Sequence, residues 1–222
     1  MTSFPIRGGG EMLAKEDARK LVRKVLREYP DAKPTLDYSN ALELLVAAIL
    51  AAQCTDERVN QVTKELFKKY RSPGDYAKAK QATLEKEVKS TGFFRQKAKA
   101  IREVCRAIAE EHGGEVPGTM EELTGLPGVG RKTANMVLGD AFGMPGLIVD
   151  THVKRVSGRT GLTEESTPDK IEMDLRAVVP RKKWTLFSHA MMEHGRAICV
   201  ARKPHCSRCP LRELCPYDGP SD

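Results

Sequence analysis

The 222-residue chain has no apolar run long enough to cross a lipid bilayer. Its longest apolar stretch, residues 44–52, has only the length of a buried helix. The N-terminal sequence MTSFPIRGGG also lacks the apolar core of a secretory signal. We therefore expect a soluble intracellular protein with no membrane partner, and no feature of the chain predicts an oligomer.

Strand patterns are scarce as well, and Leu-Ile-Val at residues 147–149 is the single candidate. Residues 42–52 are apolar nearly all round, which predicts a helix at the centre of a core. Hydrophobic spacing and capping signals elsewhere predict helices at about residues 12–29, 41–53, 57–70, 81–89, 95–112, 131–142, 151–159, 168–178 and 183–198. Ser72-Pro73 and Thr167-Pro168 each fit an N-cap followed by a first-turn proline. The expected fold class is all-α.

Nucleotide-binding signatures are missing too. The segment LPGVGRKTAN at residues 126–135 nearly matches a P-loop, but Arg131 stands where the lysine belongs. Lys132 comes one residue late, and Thr133 occupies the place of the third glycine in a dinucleotide fingerprint. A site for a nucleoside triphosphate or a dinucleotide is therefore not predicted.

The same segment instead predicts a helix, a tight hairpin and a second helix. Thr119 followed by Glu122 fits a capping box, so a short helix is expected from Met120 to Thr124. Glycines in the hairpin allow close approach of the backbone, and N–H groups at the start of the second helix favour an anion. A nucleic-acid backbone is the natural anion for such a hairpin, and an ordinary helix–helix turn is the alternative.

Positive charge exceeds negative charge along the chain. Lysine and arginine number 37 against 30 aspartates and glutamates, which gives a net charge of +7 and a pI of about 9.1. This balance favours a polyanionic partner such as a nucleic acid.

Four of the six cysteines lie close together near the C-terminus, in the pattern Cys199-x6-Cys206-x2-Cys209-x5-Cys215. Disulfides do not persist in a reducing compartment, so metal binding is the better interpretation. Zinc sites usually show two C-x2-C pairs, whereas this run has one pair with wide, unequal gaps. The spacing favours a [4Fe–4S] cluster, with zinc as the alternative.

Three further features could carry chemistry. Lys132 lies in the first turn of a predicted helix beside Arg131, where the helix dipole and the neighbouring charge disfavour the charged amine. A neutral lysine is a nucleophile, although a simple phosphate contact is the commoner role. Asp150 precedes a predicted helix and is either an N-cap or a catalytic carboxylate, or both. Arg202 and Lys203, between the first two cysteines, are suited to clamp phosphate.

Taken together, LPGVGRKTAN, VDTHVKRV at residues 149–156 and the cysteine pattern closely resemble bacterial endonuclease III. This is the helix-hairpin-helix DNA glycosylase family with an iron–sulfur cluster, and the resemblance covers nearly the whole chain. It implies two lobes, with a six-helix barrel at residues 34–145 that contains the helix-hairpin-helix motif at 119–142. Residues 1–33 and 146–222 would form the lobe that carries the [4Fe–4S] cluster.

The resemblance also implies a function and a site. Lys132 would attack the sugar of an oxidised pyrimidine nucleotide, form a Schiff base and cleave the strand by β-elimination, with Asp150 assisting base loss. Duplex DNA containing oxidised pyrimidines or abasic sites would be the partner, in the bacterial cytoplasm at the nucleoid. Cys199, Cys206, Cys209 and Cys215 would hold the cluster. The implied DNA contacts are Gln53, Phe93, Leu126, Gly128, Val129, Gly130, Thr133, His152, Arg202 and Lys203.

Gln53 and Phe93 correspond to the two residues that fill the gap left by an extruded base. Relatives often carry leucine at the position of Phe93, and an aromatic ring there can stack between bases rather than only wedge. Lys97 and Lys99 are expected on a solvated face, with Lys97 the one expected to touch phosphate. Two functions remain as alternatives: a non-catalytic DNA-binding module and a monofunctional adenine glycosylase.

Overall fold

A computed structural model describes residues 12–219. Regular secondary structure in this range is entirely helical, which confirms the all-α prediction. No helix there is long and apolar enough to span a membrane. The α-helices are α1 Lys15–Glu28, α2 Ala41–Leu50, α3 Asp56–Lys69, α4 Pro73–Lys78, α5 Gln81–Glu87, α6 Phe94–Glu111, α7 Met120–Gly125, α8 Arg131–Met136, α9 Thr151–Arg159, α10 Pro168–Val178 and α11 Trp184–Ala197. Val137–Ala141 continues α8 as a π-helix, and short 3-10 turns lie at Lys89–Thr91, Arg181–Lys183, Cys206–Arg208 and Arg212–Leu214.

The contacts divide the chain into two compact units. Pro34–Gly146 forms one of them, which we call the central unit. Of the described residues, 12–33 join 147–219 to form the other, the terminal unit. The assignment of these units as a six-helix barrel and a cluster lobe stays a prediction.

The core of the central unit is built around α2. This helix contacts α3, α6 and the π-helix, so it buries residues on every side, as its all-round apolar sequence predicts. Helix α6 contributes the apolar side of an amphipathic helix. The fully buried residues from these two helices are Leu44, Leu45, Val46, Ala47, Leu50, Ala98, Ile101, Val104, Cys105 and Ile108.

The terminal unit has its own core, where α1 packs on α10 and α11, and α9 packs on α10 and α11. Leu21 and Val25 of α1 are fully buried, as are Val153 of α9, Leu175 of α10 and Phe187 of α11. Burying such side chains contributes about 1.5–3 kcal/mol each to stability. The first and last parts of the chain are therefore held together by apolar packing.

Local capping explains where several helices begin. The Ser72 hydroxyl accepts the Asp75 N–H, and the Asp75 carboxylate accepts the Ser72 N–H in return. The Thr119 hydroxyl accepts the Glu122 N–H at 3.2 Å, which confirms the predicted start of α7. Thr167, by contrast, makes no side-chain cap on α10.

Two predictions about secondary structure were wrong. Helix α2 ends at Leu50 rather than near residue 53, because Gln53 adopts a left-handed conformation with φ 54°. Residues 147–149 form no strand, and no strand forms elsewhere in residues 12–219. The Ile148 N–H donates instead to the Ser188 hydroxyl of α11 at 2.8 Å, so this buried extended segment is held by a helix side chain.

Candidate active site

The hairpin between α7 and α8 presents its backbone to solvent. Leu126 and Val129 are 4% and 5% exposed, so their side chains belong to the core of the central unit. Gly128 and Gly130 are exposed, and Gly128 has φ +73°, a conformation that glycine adopts without strain. Any contact that Leu126 and Val129 make with DNA is therefore limited to their backbone groups.

Lys132 is the second residue of α8 and is exposed to solvent. Thr133 beside it is half-buried. The backbone of α8 packs closely against Gly146, where a Cβ atom would lie only 2.1 Å from the Asn135 carbonyl oxygen. Glycine is thus required at position 146, and the close backbone contact that it allows fixes the helix that carries Lys132.

Asp150 is the N-cap of α9. Its carboxylate accepts the N–H of Val153 at 2.7 Å, which confirms the capping role that the sequence predicts. His152, the second residue of α9, has a lowered pKa because burial disfavours its charged form, and the Asp150 carboxylate opposes that shift. The Arg155 guanidinium lies 3.2 Å from Nδ1 of His152.

Two arginines of α9, missed by the sequence analysis, fasten this helix to residues 199–215, which we call the cysteine loop. Arg155 Nε donates to the Cys199 carbonyl at 3.0 Å, and Arg159 donates to the Val200 carbonyl at 2.8 Å. Arg159 also points at the Cys199 sulfur, 3.4 Å away. Their spacing of four residues puts both on one side of a helix, a signal that was available in the sequence.

The four cysteines of the loop surround one cavity. Its wall also includes Arg159, His194 and Tyr217. A [4Fe–4S] cluster is held by four cysteine thiolates, one on each iron atom. Four thiols spaced around one cavity therefore fit such a cluster. They are Cys199, Cys206, Cys209 and Cys215.

The ionisation of two of these thiols depends on what the cavity holds. Burial raises the pKa of Cys209 and of Cys215, so as bare thiols they would be protonated at neutral pH. Bound iron reverses this preference, because its positive charge stabilises the thiolate. The Tyr29 hydroxyl lies 2.9 Å from His194 Nδ1, and the other ring nitrogen of His194 is 3.7 Å from the Cys209 sulfur. The cluster ligands are thus oriented by a second layer of contacts.

Arg202 and Lys203 are exposed on the cysteine loop, and so are Gln53 and Phe93 in the central unit. Phe93 is 58% exposed and has φ 45°. Lys97 does not lie on a solvated face, so the prediction that it contacts phosphate was wrong. Its side chain is buried, with 5% of the residue exposed, and its amine donates hydrogen bonds inside the protein.

Comparisons with known proteins agree with this description. Residues 46–181 match the model of the HhH-GPD superfamily base excision DNA repair proteins. The cysteine loop, residues 199–215, matches the iron–sulfur binding domain of endonuclease III. Endonuclease III of Synechocystis sp. is 51% identical over 91% of this chain and 93% of its own length. Endonuclease III of Bacillus subtilis is 46% identical over 84% of this chain and 86% of its own length.

A solved structure of a trapped covalent intermediate between endonuclease III and DNA has the same fold. Its TM-score is 0.88 at 43% sequence identity, over 92% of this chain and 96% of that one. Matches of this extent cover both units rather than an isolated motif. The chain therefore belongs to the endonuclease III family, within the HhH-GPD superfamily of base excision DNA repair proteins.

Proposed function

We propose that Lys132 is the nucleophile with which this protein removes oxidised pyrimidines from duplex DNA and cleaves the strand. As a member of the endonuclease III family, the protein is a DNA glycosylase and AP lyase of base excision repair. The observation that carries the proposal is the position of Lys132, whose amine is exposed at the start of the helix after a glycine hairpin. A surface amine there can reach a sugar carbon when the hairpin backbone contacts the adjacent phosphates.

In the proposed reaction the damaged nucleotide first leaves the base stack. Extrusion costs a few kcal/mol, and less for a damaged base than for a normal one. The neutral Lys132 amine attacks C1′ of the sugar, the bond from C1′ to the base breaks, and the base takes up a proton. Asp150 assists this step by stabilising positive charge that develops on the sugar.

Strand cleavage follows from the covalent intermediate. The Lys132 nitrogen then expels the ring oxygen O4′ from C1′, O4′ takes up a proton, and a Schiff base between Lys132 and C1′ results. This Schiff base withdraws electrons and acidifies the C2′ proton. Loss of that proton expels the 3′ phosphate by β-elimination, which leaves a strand break on the 3′ side of the lesion. Water then releases Lys132 by hydrolysis of the imine. The protein acts as a monomer on chromosomal DNA in the bacterial cytoplasm.

The [4Fe–4S] cluster supplies no bond-breaking step in this proposal. Its four cysteines pin the loop that presents Arg202 and Lys203, which we propose as phosphate contacts. Gly128, Gly130 and the backbone of the hairpin are the further proposed phosphate contacts. Thr133 and His152, next to Lys132 and Asp150 respectively, are proposed to contact the DNA near the lesion.

Borohydride trapping tests the nucleophile. The protein is incubated with a duplex carrying one abasic site or one oxidised thymine, borohydride is added, and covalent protein–DNA product is measured. We expect product on both duplexes and none with Lys132→Ala. Lys99→Ala is a matched control, because Lys99 is exposed in the same unit and belongs to α6 rather than to the hairpin or α8.

The outcomes separate the alternatives. Product on the abasic duplex alone would mean a lyase that acts on a different base. No product on either duplex, with DNA binding intact, would overturn the proposal in favour of a non-catalytic binding module. Excision of adenine without trapping would indicate a monofunctional adenine glycosylase.

A further inference from the structure

Lys97 is a charged side chain buried in the central unit. It belongs to the second turn of α6, and only 5% of its surface is exposed. Its ammonium donates to two backbone carbonyls, of Leu50 at 2.8 Å and of Thr91 at 2.7 Å. Desolvation lowers the pKa of Lys97, and the neighbouring Cys54 opposes that shift. A lysine is rarely buried to this extent unless its charge is satisfied by partners.

The two carbonyls end two different elements. Leu50 is the last residue of α2, where helix carbonyls lack an intrahelical partner. Thr91 is the last residue of the 3-10 turn that precedes α6. The Lys97 backbone N–H also donates to the Phe93 carbonyl at 3.0 Å, so Lys97 contacts the second loop through both its side chain and its backbone. One residue thereby fastens two loops together.

Those loops carry Gln53 and Phe93, the two residues that the resemblance to endonuclease III assigns to the gap left by an extruded base. Gln53 lies three residues beyond Leu50, and Phe93 lies two residues beyond Thr91. Both are exposed, and they are the only residues other than glycine with positive φ within residues 12–219. A left-handed conformation is unfavourable for such residues and persists only where the surroundings impose it. The backbone of each loop is therefore held in place.

We propose that Lys97 is a positioning residue that holds Gln53 and Phe93 at a fixed spacing, so that both enter the DNA together when a base is extruded. The inference rests on the proposed function, since it takes these two side chains as the ones that fill the gap. A side chain with several donors on one charged atom suits the task, because the ammonium can bind both loop ends at once. Charge also strengthens each hydrogen bond to a carbonyl.

Removing the amine should loosen both loops at once. Lys97→Met keeps most of the length and apolar stem of the side chain but leaves the Leu50 and Thr91 carbonyls without their shared donor. An error of about 1 Å in placement can cost roughly 100-fold in rate. We expect base removal opposite adenine to slow about tenfold, since a loosened loop samples the productive placement only part of the time. Lys97→Arg, which keeps the charge and the donors, should restore part of the rate.

The first measurement monitors binding alone and needs no base removal or strand cleavage. A duplex carries 2-aminopurine opposite a non-cleavable abasic analogue, and its fluorescence reports how the gap is filled when saturating protein binds. We expect a smaller change for Lys97→Met than for the natural protein. Lys99→Met is the matched control, because it removes a lysine of the same helix whose exposed side chain pairs with Glu103. Lys99→Met should give the same change in fluorescence as the natural protein.

The second measurement asks whether Lys97 acts through the two loop residues. Single-turnover base removal is compared for Lys97→Met in the natural background and in a Gln53→Ala/Phe93→Ala background. If Lys97 works by placing these side chains, Lys97→Met should change the rate of base removal by less than about twofold in the Gln53→Ala/Phe93→Ala background. The effects of residues that act as a unit are not additive. An equal loss in both backgrounds would mean a general structural role and would overturn the proposal.

Failure of this inference can be told apart from failure of the proposed function. Lys97→Met that matches Lys99→Met in fluorescence and in rate overturns the inference, while trapping at Lys132 remains unaffected. A natural protein that removes no base overturns the proposed function, and the fluorescence measurement then decides the inference by itself. If Lys97→Met does not fold, Lys97→Gln gives the same comparison, because its shorter, uncharged side chain cannot bind both carbonyls as the ammonium does.

Discussion

At the scale of single residues, Asp150 has one structural role and one proposed catalytic role. Its carboxylate caps α9 through the Val153 N–H, and we propose that the same group assists loss of the base. Asparagine caps a helix as well as aspartate does, whereas alanine cannot cap it. Two substitutions at one position can therefore separate the structural contribution from the catalytic one.

We predict that Asp150→Asn keeps the stability of the natural protein and loses base-removal activity. Asp150→Ala should lose the same activity and also about 1 kcal/mol of stability, because the Val153 N–H is left without its cap. Denaturant unfolding and single-turnover base removal measure the two effects. Full activity of Asp150→Asn would show that the carboxylate charge has no catalytic role.

At the scale of elements, α9 and α11 approach closely at a glycine. A Cβ atom on Gly195 would lie 3.0 Å from the Cβ of His152 and 3.2 Å from the Arg155 guanidinium. These contacts are tighter than ordinary packing, so a larger residue at this position requires His152 or Arg155 to shift by a few tenths of an ångström. Asp150, the cap of α9, and the cysteine loop after α11 both depend on this contact for their positions.

We predict that Gly195→Ala destabilises the protein by about 1–3 kcal/mol through overpacking. Gly158→Ala is the matched control on α9, since a Cβ atom there meets nothing within 4 Å. It should stabilise by roughly 0.5–1 kcal/mol, because alanine is the better helix former. Thermal unfolding of the two variants measures the expected loss of stability in Gly195→Ala and the expected gain in Gly158→Ala. No loss of stability in Gly195→Ala would mean that the α9–α11 contact can accommodate a methyl group.

The elements were largely predictable from the sequence, because helix periodicity and capping are local signals. The start of α7 at Thr119 and the core role of α2 are examples. What could not be predicted depends on distant partners. Residues 147–149 looked like a strand, yet their hydrogen bonding is completed by Ser188, forty positions away. Lys97 looked solvated, since nothing near it in sequence shows that Leu50 and Thr91 would converge on its amine.

The candidate site divides in the same way. Motif spacing was enough to single out Lys132, Asp150 and the four cysteines as the residues to test. It did not indicate Arg155 or Arg159, whose partners are backbone carbonyls of the cysteine loop. The four-residue spacing of these arginines indicates a shared side of the helix, but a carbonyl partner leaves no trace in residue type, so the contacts themselves become visible only in the structure.

At the scale of the whole molecule, the net charge of +7 predicts that binding to DNA weakens with salt. Each phosphate contact contributes about 0.9 to the slope of log affinity against log salt concentration. We predict that Arg202→Ala and Lys203→Ala each lower this slope by about that amount, equally on damaged and undamaged duplexes. Fluorescence anisotropy across a salt series measures it.

Arg208→Ala is the matched control for this prediction, because Arg208 is exposed on the same cysteine loop but is not among the proposed DNA contacts. Its slope should equal that of the natural protein. Equal slopes for all three variants and the natural protein would remove Arg202 and Lys203 from the DNA interface. A change in preference for the damaged duplex would mean that they contact bases rather than phosphates.

The two units also differ in when they can form during synthesis. The central unit is one continuous stretch and is complete once the ribosome has added Gly146. The terminal unit is interrupted, so α1 is made before the central unit and cannot pack on α10 and α11 until they have been made after it. The cysteines of the cysteine loop follow α11 in the chain. The cluster can therefore be acquired only after the central unit has been made, and a chain terminated between Gly146 and Cys199 keeps the hairpin and Lys132 without the cluster.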